Sequence, residues 1–120
     1  MEKYVDGFLL PIAKDKVDEY REMARKAGEV WMEHGALEFH ECLGDDLESE
    51  GMFSFRTAAN AADNETVIFS WIVFESKEQR DKVNAAVMED ERIKDSMDSK
   101  NMPFDFKRMA YGGFKTLVKF

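Results

Sequence analysis

Cysteine is nearly absent. Cys42 stands alone among 120 residues, so no internal disulfide can form and a stapled secreted scaffold is excluded. Histidine is almost as scarce. His34 and His40 are the only two, and because they fall on separate elements with no second cysteine to join them, no metal site is expected. Long apolar runs are missing too. The longest, Val67 to Phe74, is interrupted by Ser70 and falls well short of the ~20 residues that a bilayer-spanning helix needs. Basic residues are outnumbered, 17 Lys and Arg against 25 Asp and Glu, for a formal net charge of −8. A polyphosphate meets repulsion over most of such a surface, so nucleic acid is not an expected partner. The chain start lacks the basic and apolar features of a secretory signal; with the single thiol, this predicts a reducing, cytoplasmic compartment. No cofactor is expected either. Gly112-Gly113 lies inside a predicted strand, with no Lys-Ser/Thr pair after it, and so is not a phosphate loop.

What is present is an ordinary globular composition. With 44% apolar and 35% charged residues and no Pro/Gly/Ser-rich tract, the chain reads as one domain spanning residues 1–120, of a size that buries roughly two thirds of its unfolded surface without a staple. Tyr4 to Ile12 is rich in β-branched and aromatic residues and reads as a strand. Asp15 follows as a candidate N-cap. From Lys16 to Glu33 the apolar positions Val17, Tyr20, Ala24, Ala27 and Trp31 recur at spacings of three and four, which predicts a helix closed by His34-Gly35. Its charged residues, Glu22 and Lys26 among them, form a solvated face of (i, i+4) and (i, i+3) pairs.

A second strand, Ala36 to Leu43, alternates: Leu37, Phe39, Glu41 and Leu43 point one way, Glu38, His40 and Cys42 the other. Cys42 reads as a buried small side chain, and His34 as part of the helix end, where an imidazolium is favoured. Gly44 to Glu65 is a long polar connection of mixed propensity. Thr66 to Phe74 carries apolar residues on both faces and must be a central strand covered on both sides. Ser76 to Gln79 forms a capping box that opens a helix through about Glu89, with Asp90 to Met97 adding a turn or two before Asn101-Met102-Pro103 breaks it. A last strand runs from about Lys107 to Val118, with a bulge or bend expected at Gly112-Gly113.

The order strand, helix, strand, strand, helix, strand is that of a split βαβ duplication, an α+β domain of ferredoxin-like βαββαβ topology with a four-stranded antiparallel sheet. Two helices cover one face of such a sheet. Because strands apolar on both faces leave the other face in need of cover, a homodimer packing sheet against sheet is expected.

Candidate chemistry centres on Asp6, an acidic residue within an otherwise apolar central strand. A carboxylate there must be paired, hydrogen-bonded or protonated, and Arg108 (or Lys107) on the last strand or His40 on the second are its expected partners. Asp6, His40 and Arg108 are therefore the candidate catalytic set, either as an acid–base group or as a structural ion pair. Ser70, Trp71 and Tyr111 are the candidate ligand-binding residues. Aromatic residues and eight methionines supply either core or an adaptable apolar pocket lining.

Several strings carry a resemblance: Tyr4-Val5-Asp6-Gly7-Phe8, His34-Gly35-Ala36-Leu37, Glu41-Cys42 with Gly44-Asp45-Asp46, Phe69-Ser70-Trp71, Met102-Pro103-Phe104-Asp105, and Lys107-Arg108-Met109 with Tyr111-Gly112-Gly113-Phe114. In these the chain resembles the YbaA-like bacterial family, domain of unknown function 1428, from Tyr4 to about Val118. The resemblance implies a dimeric α/β barrel of ferredoxin-like halves and no assigned activity. The wider barrel superfamily includes cofactor-independent monooxygenases, haem-degrading enzymes, muconolactone isomerases and stress-response proteins, but no string here matches an active-site motif of theirs. Two functions stay open: a dimer binding or transforming a small aromatic or keto compound in a barrel pocket, and a non-catalytic dimer, structural or stress-related, acting through protein–protein interaction.

Overall fold

The structure, a computed structural model, describes residues 2–97 and 102–120. It is an α+β fold with an open four-stranded antiparallel sheet and four helices: β1 (Tyr4–Ala13), α1 (Val17–His34), β2 (Glu38–Leu43), α2 (Phe55–Ala58), β3 (Glu65–Phe74), α3 (Lys77–Met88), α4 (Glu91–Met97) and β4 (Ala110–Lys115). The strands lie in the order β2-β3-β1-β4, so the two longest, β1 and β3, are central. Their apolar residues on both faces explain that position. The edges are short.

Helix ends follow local chemistry. Gly35 closes α1 at φ 119°, and its N–H and the next bond back to the last turn, as a left-handed C-terminal residue does. Ser76 caps α3 by accepting from the Gln79 N–H at 3.1 Å. Asp15 does not cap α1. It lies in a 3₁₀ turn, Lys14–Lys16, and the residue preceding α1 is Lys16, without a side-chain capping bond. The helix break expected at Asn101-Met102-Pro103 falls partly outside the described residues.

Two further expectations are corrected. The glycine pair makes no bulge: β4 pairs with β1 in unbroken register, Gly112 opposite Gly7 and Gly113 opposite Asp6. Cys42 is exposed rather than buried, because β2 is an edge strand and this residue points to the face without α1 and α3.

Helices α1, α3 and α4 cover one face of the sheet. Beneath them the core is divided. One cluster joins Val30, Ile72, Phe74, Val83, Val87 and Ile93; the other joins Leu10, Ile12, Tyr20, Ala24 and Ile68. On the opposite face α2 approaches β3, with the Phe55 and Phe69 rings 5.8 Å apart. The cover is partial: Val67 is buried while Phe69 is 46% exposed.

Candidate functional site

Between the two halves of the core lies a partly open cavity of about 370 Å³, bordered by the helix-facing side of the sheet, α1, α3, α4 and the segment leading into β4. Its walls are aromatic and methionine-rich, with Phe8, Trp31, Phe39 and Phe104 among them. Strand register organises its floor. Glu41 pairs with Ser70, Ser70 with Phe8, and Phe8 with Tyr111, so one row crosses all four strands with polar residues at both ends and a phenyl ring in the middle. Phe8 and Tyr111 touch, their ring centroids 5.1 Å apart.

Asp6 occupies the neighbouring row and is fully buried. Its carboxylate accepts from Arg80 Nη1 at 2.7 Å, Asn84 Nδ2 at 3.0 Å and the Tyr111 hydroxyl at 3.1 Å. Arg80 and Asn84 stand one turn apart on α3, the spacing that points both at the same spot on the sheet. Arg80 also donates to Asp81 and to Tyr111 and lies 4.9 Å from the centroid of the Tyr4 ring. Burial disfavours its charge, but Asp6, Asp81 and Tyr111 together more than offset that, so its pKa is raised. Burial, then Asp6, raises the Tyr111 hydroxyl as well. The Asn84 carbonyl accepts from the Trp31 indole at 3.0 Å, tying the group to α1. Gly113 makes the approach of Arg80 sterically feasible: a Cβ there would lie 2.5 Å from the Tyr4 hydroxyl and 2.9 Å from Arg80 Nη1.

At the other end of the floor the buried Tyr20 donates to Glu41 Oε1 at 2.7 Å. Glu41 is exposed on the edge strand and borders the cavity; the protein packed around its carboxyl raises the pKa by desolvation, against the lowering effect of hydrogen bonds from Tyr20 and Ser70. Desolvation and then Glu41 push the Tyr20 hydroxyl far above its ordinary range.

The expected site is thus partly assembled and partly dispersed. Asp6 and Tyr111 meet, and Ser70 lies on the cavity floor. Arg108 is not the partner of Asp6: it forms a two-pronged ion pair with Glu65, at 2.8 and 2.9 Å, and donates to the Asn60 carbonyl. It precedes β4, beyond the last residue paired with β1, and so joins a surface turn. His40 is not the partner either. Alternation along β2 sends its ring to the opposite face, where it stacks on Trp71 at 4.6 Å and contacts Glu38 at 3.0 Å. Trp71 faces that side too. Among the described residues no group of three or more His, Cys, Asp or Glu could hold a metal ion, and no helix is long and apolar enough to cross a membrane.

Arg80, Asn84, Tyr20 and Glu41 are the site residues that sequence reasoning missed. Glu41 had a legible signal, an acidic residue on the same alternation face as Leu37, Phe39 and Leu43. Arg80 and Asn84 had only their i, i+4 spacing, which every helix face offers.

Known proteins share this arrangement of sequence. The profile of the family described as "Protein of unknown function (DUF1428)" matches residues 3–106. The uncharacterised protein YbaA of Escherichia coli K12 is 48% identical over 116 residues, covering 97% of each chain, and that of Shigella flexneri matches equally. Among solved structures, a de novo designed protein, Foldit4, aligns over 99% of this chain with a TM-score of 0.45 at 11% identity. Sequence identity of this extent decides the matter: the chain belongs to the DUF1428 family, alongside YbaA.

Proposed function

We propose that the protein is a ferredoxin-like cytoplasmic homodimer, an α/β barrel in the paired state, that binds, and is shaped to transform, a small aromatic compound in the cavity beneath α1 and α3. The observation that carries the ligand reading is the divided core. A domain of this size normally packs its interior to crystal-like density, whereas here about 370 Å³ stays open between two well-packed clusters, walled by aromatic and methionine side chains with polar groups converging on its floor. That is the composition of a small-molecule site.

Support for the topology comes from the strand order β4-β1-β3-β2, with a long helix after β1 and another after β3. Support for pairing comes from the face that α1 and α3 leave open. From Val5 to Pro11 and from Val67 to Val73 its central strands present uncharged side chains to that face, and Phe69, with Phe114 on the neighbouring edge strand, is 46% and 59% exposed respectively. On a chain with net charge −8, the acidic residues of this face, Glu38 and Glu65, stand at its margins beside His40 and Arg108, so its uncharged centre is where two copies meet with least repulsion. Sedimentation equilibrium tests it: a dimer is expected for the native chain and a monomer for Trp71→Glu, and a native monomer at all concentrations removes the pairing.

For the cavity, naphthalene is a suitable neutral probe. It is expected to raise the Tm of the native protein and to leave Ala27→Trp, which fills the space from α1, unchanged. Failure of naphthalene to bind the native protein in a calorimetric titration would favour a non-catalytic dimer acting through other proteins.

A further inference from the structure

We infer that the Glu41 end of the cavity is a recognition site for a hydrogen-bond donor carried on an aromatic ring, a phenol or an aromatic amine, and that it rejects carboxylates. This deepens the cavity reading and rests on it. Two carboxylates face the helix side of the sheet in adjoining rows. Asp6 is saturated by Arg80, Asn84 and Tyr111. Glu41 accepts from the Tyr20 hydroxyl at 2.7 Å and has the Ser70 hydroxyl as its cross-strand neighbour. Among the described residues no cation forms an ion pair with it.

The basic side chains that share a depression with Glu41 are already engaged. A shallower depression of about 300 Å³ on the far side of Glu41, between α1 and β2, is bordered by Arg21 and Arg25. Arg21 bonds Asp18, and Arg25 bonds Glu22 and Glu29. Glu41 is therefore an acceptor-rich group on an exposed edge strand, bonded to a buried tyrosine and bordering the apolar cavity. A carboxylate so placed gains from an incoming N–H or O–H and is repelled by a second anion.

The opposite end offers an anion little compensation. Arg80 is the cation there, and its guanidinium is committed to Asp6 and Asp81. Between the ends the floor spans three strand spacings, about 14 Å from Glu41 to Tyr111, with Phe8 in the middle. The ligand is thus a flat ring lying over Phe8 with its donor directed at Glu41 Oε1 or Oε2.

Three probes of nearly one shape separate the terms: naphthol, methoxynaphthalene and naphthoate, each titrated by calorimetry into the native protein at pH 7. Naphthol is expected to bind at least about tenfold more tightly than methoxynaphthalene, the value of one hydrogen bond to a charged acceptor, and naphthoate more weakly than both. In Glu41→Gln the naphthol preference should shrink and naphthoate should improve. Methoxynaphthalene or naphthoate matching naphthol on the native protein overturns the assignment of Glu41 while leaving the cavity as a binding site. Failure of all three to bind overturns both readings. The native series decides the question even if the variant is unstable.

Discussion

Asp6 and Glu41 lie in adjoining rows of one sheet face, and the protein treats them in opposite ways. Asp6 loses all contact with water and is given a guanidinium, an amide and a phenol hydroxyl. Glu41 lies exposed at the cavity's edge and is given the Tyr20 hydroxyl, with no cation among the described residues paired to it. The difference follows from what each strand faces. β1 is central and runs under α3, whose one-turn spacing of Arg80 and Asn84 delivers a charge and an amide together. β2 is an edge strand under α1, where Tyr20 is the polar side chain that reaches the sheet. Full pairing makes Asp6 part of the framework; incomplete pairing leaves Glu41 able to accept another donor.

The largest expected effect tests the framework side. Arg80→Met leaves a fully buried carboxylate with neutral donors only, and breaking a buried pair in this way costs about 3–5 kcal/mol. Urea unfolding at fixed protein concentration measures it. Adding Asp6→Asn should recover much of the loss, since the uncompensated charge is then gone. A single variant within experimental error of the native protein would mean that Asn84 and Tyr111 suffice, and the contrast between the two carboxylates would collapse.

A smaller effect is expected at Gly113, opposite Asp6 on β4. An added methyl group would lie 2.5 Å from the Tyr4 hydroxyl and 2.9 Å from Arg80 Nη1, so Gly113→Ala must displace side chains that hold Arg80 against Asp6. Overpacking of this kind costs about 1–3 kcal/mol. The neighbouring Gly112→Ala is the control, because a Cβ there meets only ordinary contacts with the Phe114 ring at 3.7 Å or more. Equal losses at both positions would assign the effect to strand entropy rather than to the Arg80 approach.

Much of the framework was legible in the chain itself. The doubly apolar strands, the helical period from Val17 to Trp31, Gly35 and the Ser76 cap each depend on neighbours close in sequence, and each appears where expected. Asp6 was legible as a site because its residue type contradicts its strand. Its partner was not, since Arg80 is 74 residues away and reaches it through the placement of α3 over β1. Arg108, chosen for its predicted strand, precedes β4 and pairs with Glu65 instead. The cavity was illegible for a related reason: a divided core and a continuous one use the same aromatic and methionine residues, and only packing separates them.

The smallest effect concerns Glu41 and has a sign opposite to that of Glu22, Glu65 and Asp90. Desolvation raises its folded-state pKa above the ordinary carboxylate value, so the folded protein holds this proton more tightly than the unfolded chain does. Stability from this group is therefore fullest below the unfolded pKa of about 4.3 and declines as pH rises through the folded value. Glu65 runs the other way. Hydrogen bonding to Arg108 holds it down to about 2, so its contribution is present above the unfolded pKa and is lost as pH falls toward 2. The two windows lie on opposite sides of the ordinary carboxylate pKa and can be separated. Glu41→Gln keeps an acceptor for Tyr20 while removing the titration, so it should be neutral or slightly stabilising at pH 7, within about 0.5 kcal/mol. The informative quantity is the difference in unfolding free energy between variant and native protein, followed from pH 4 to 7 at constant protein concentration. It should move in favour of the variant as pH rises and then level off. A difference that moves the other way would mean that Glu41 is stabilised as a carboxylate by a cation in the native state, which would remove the distinction from Asp6.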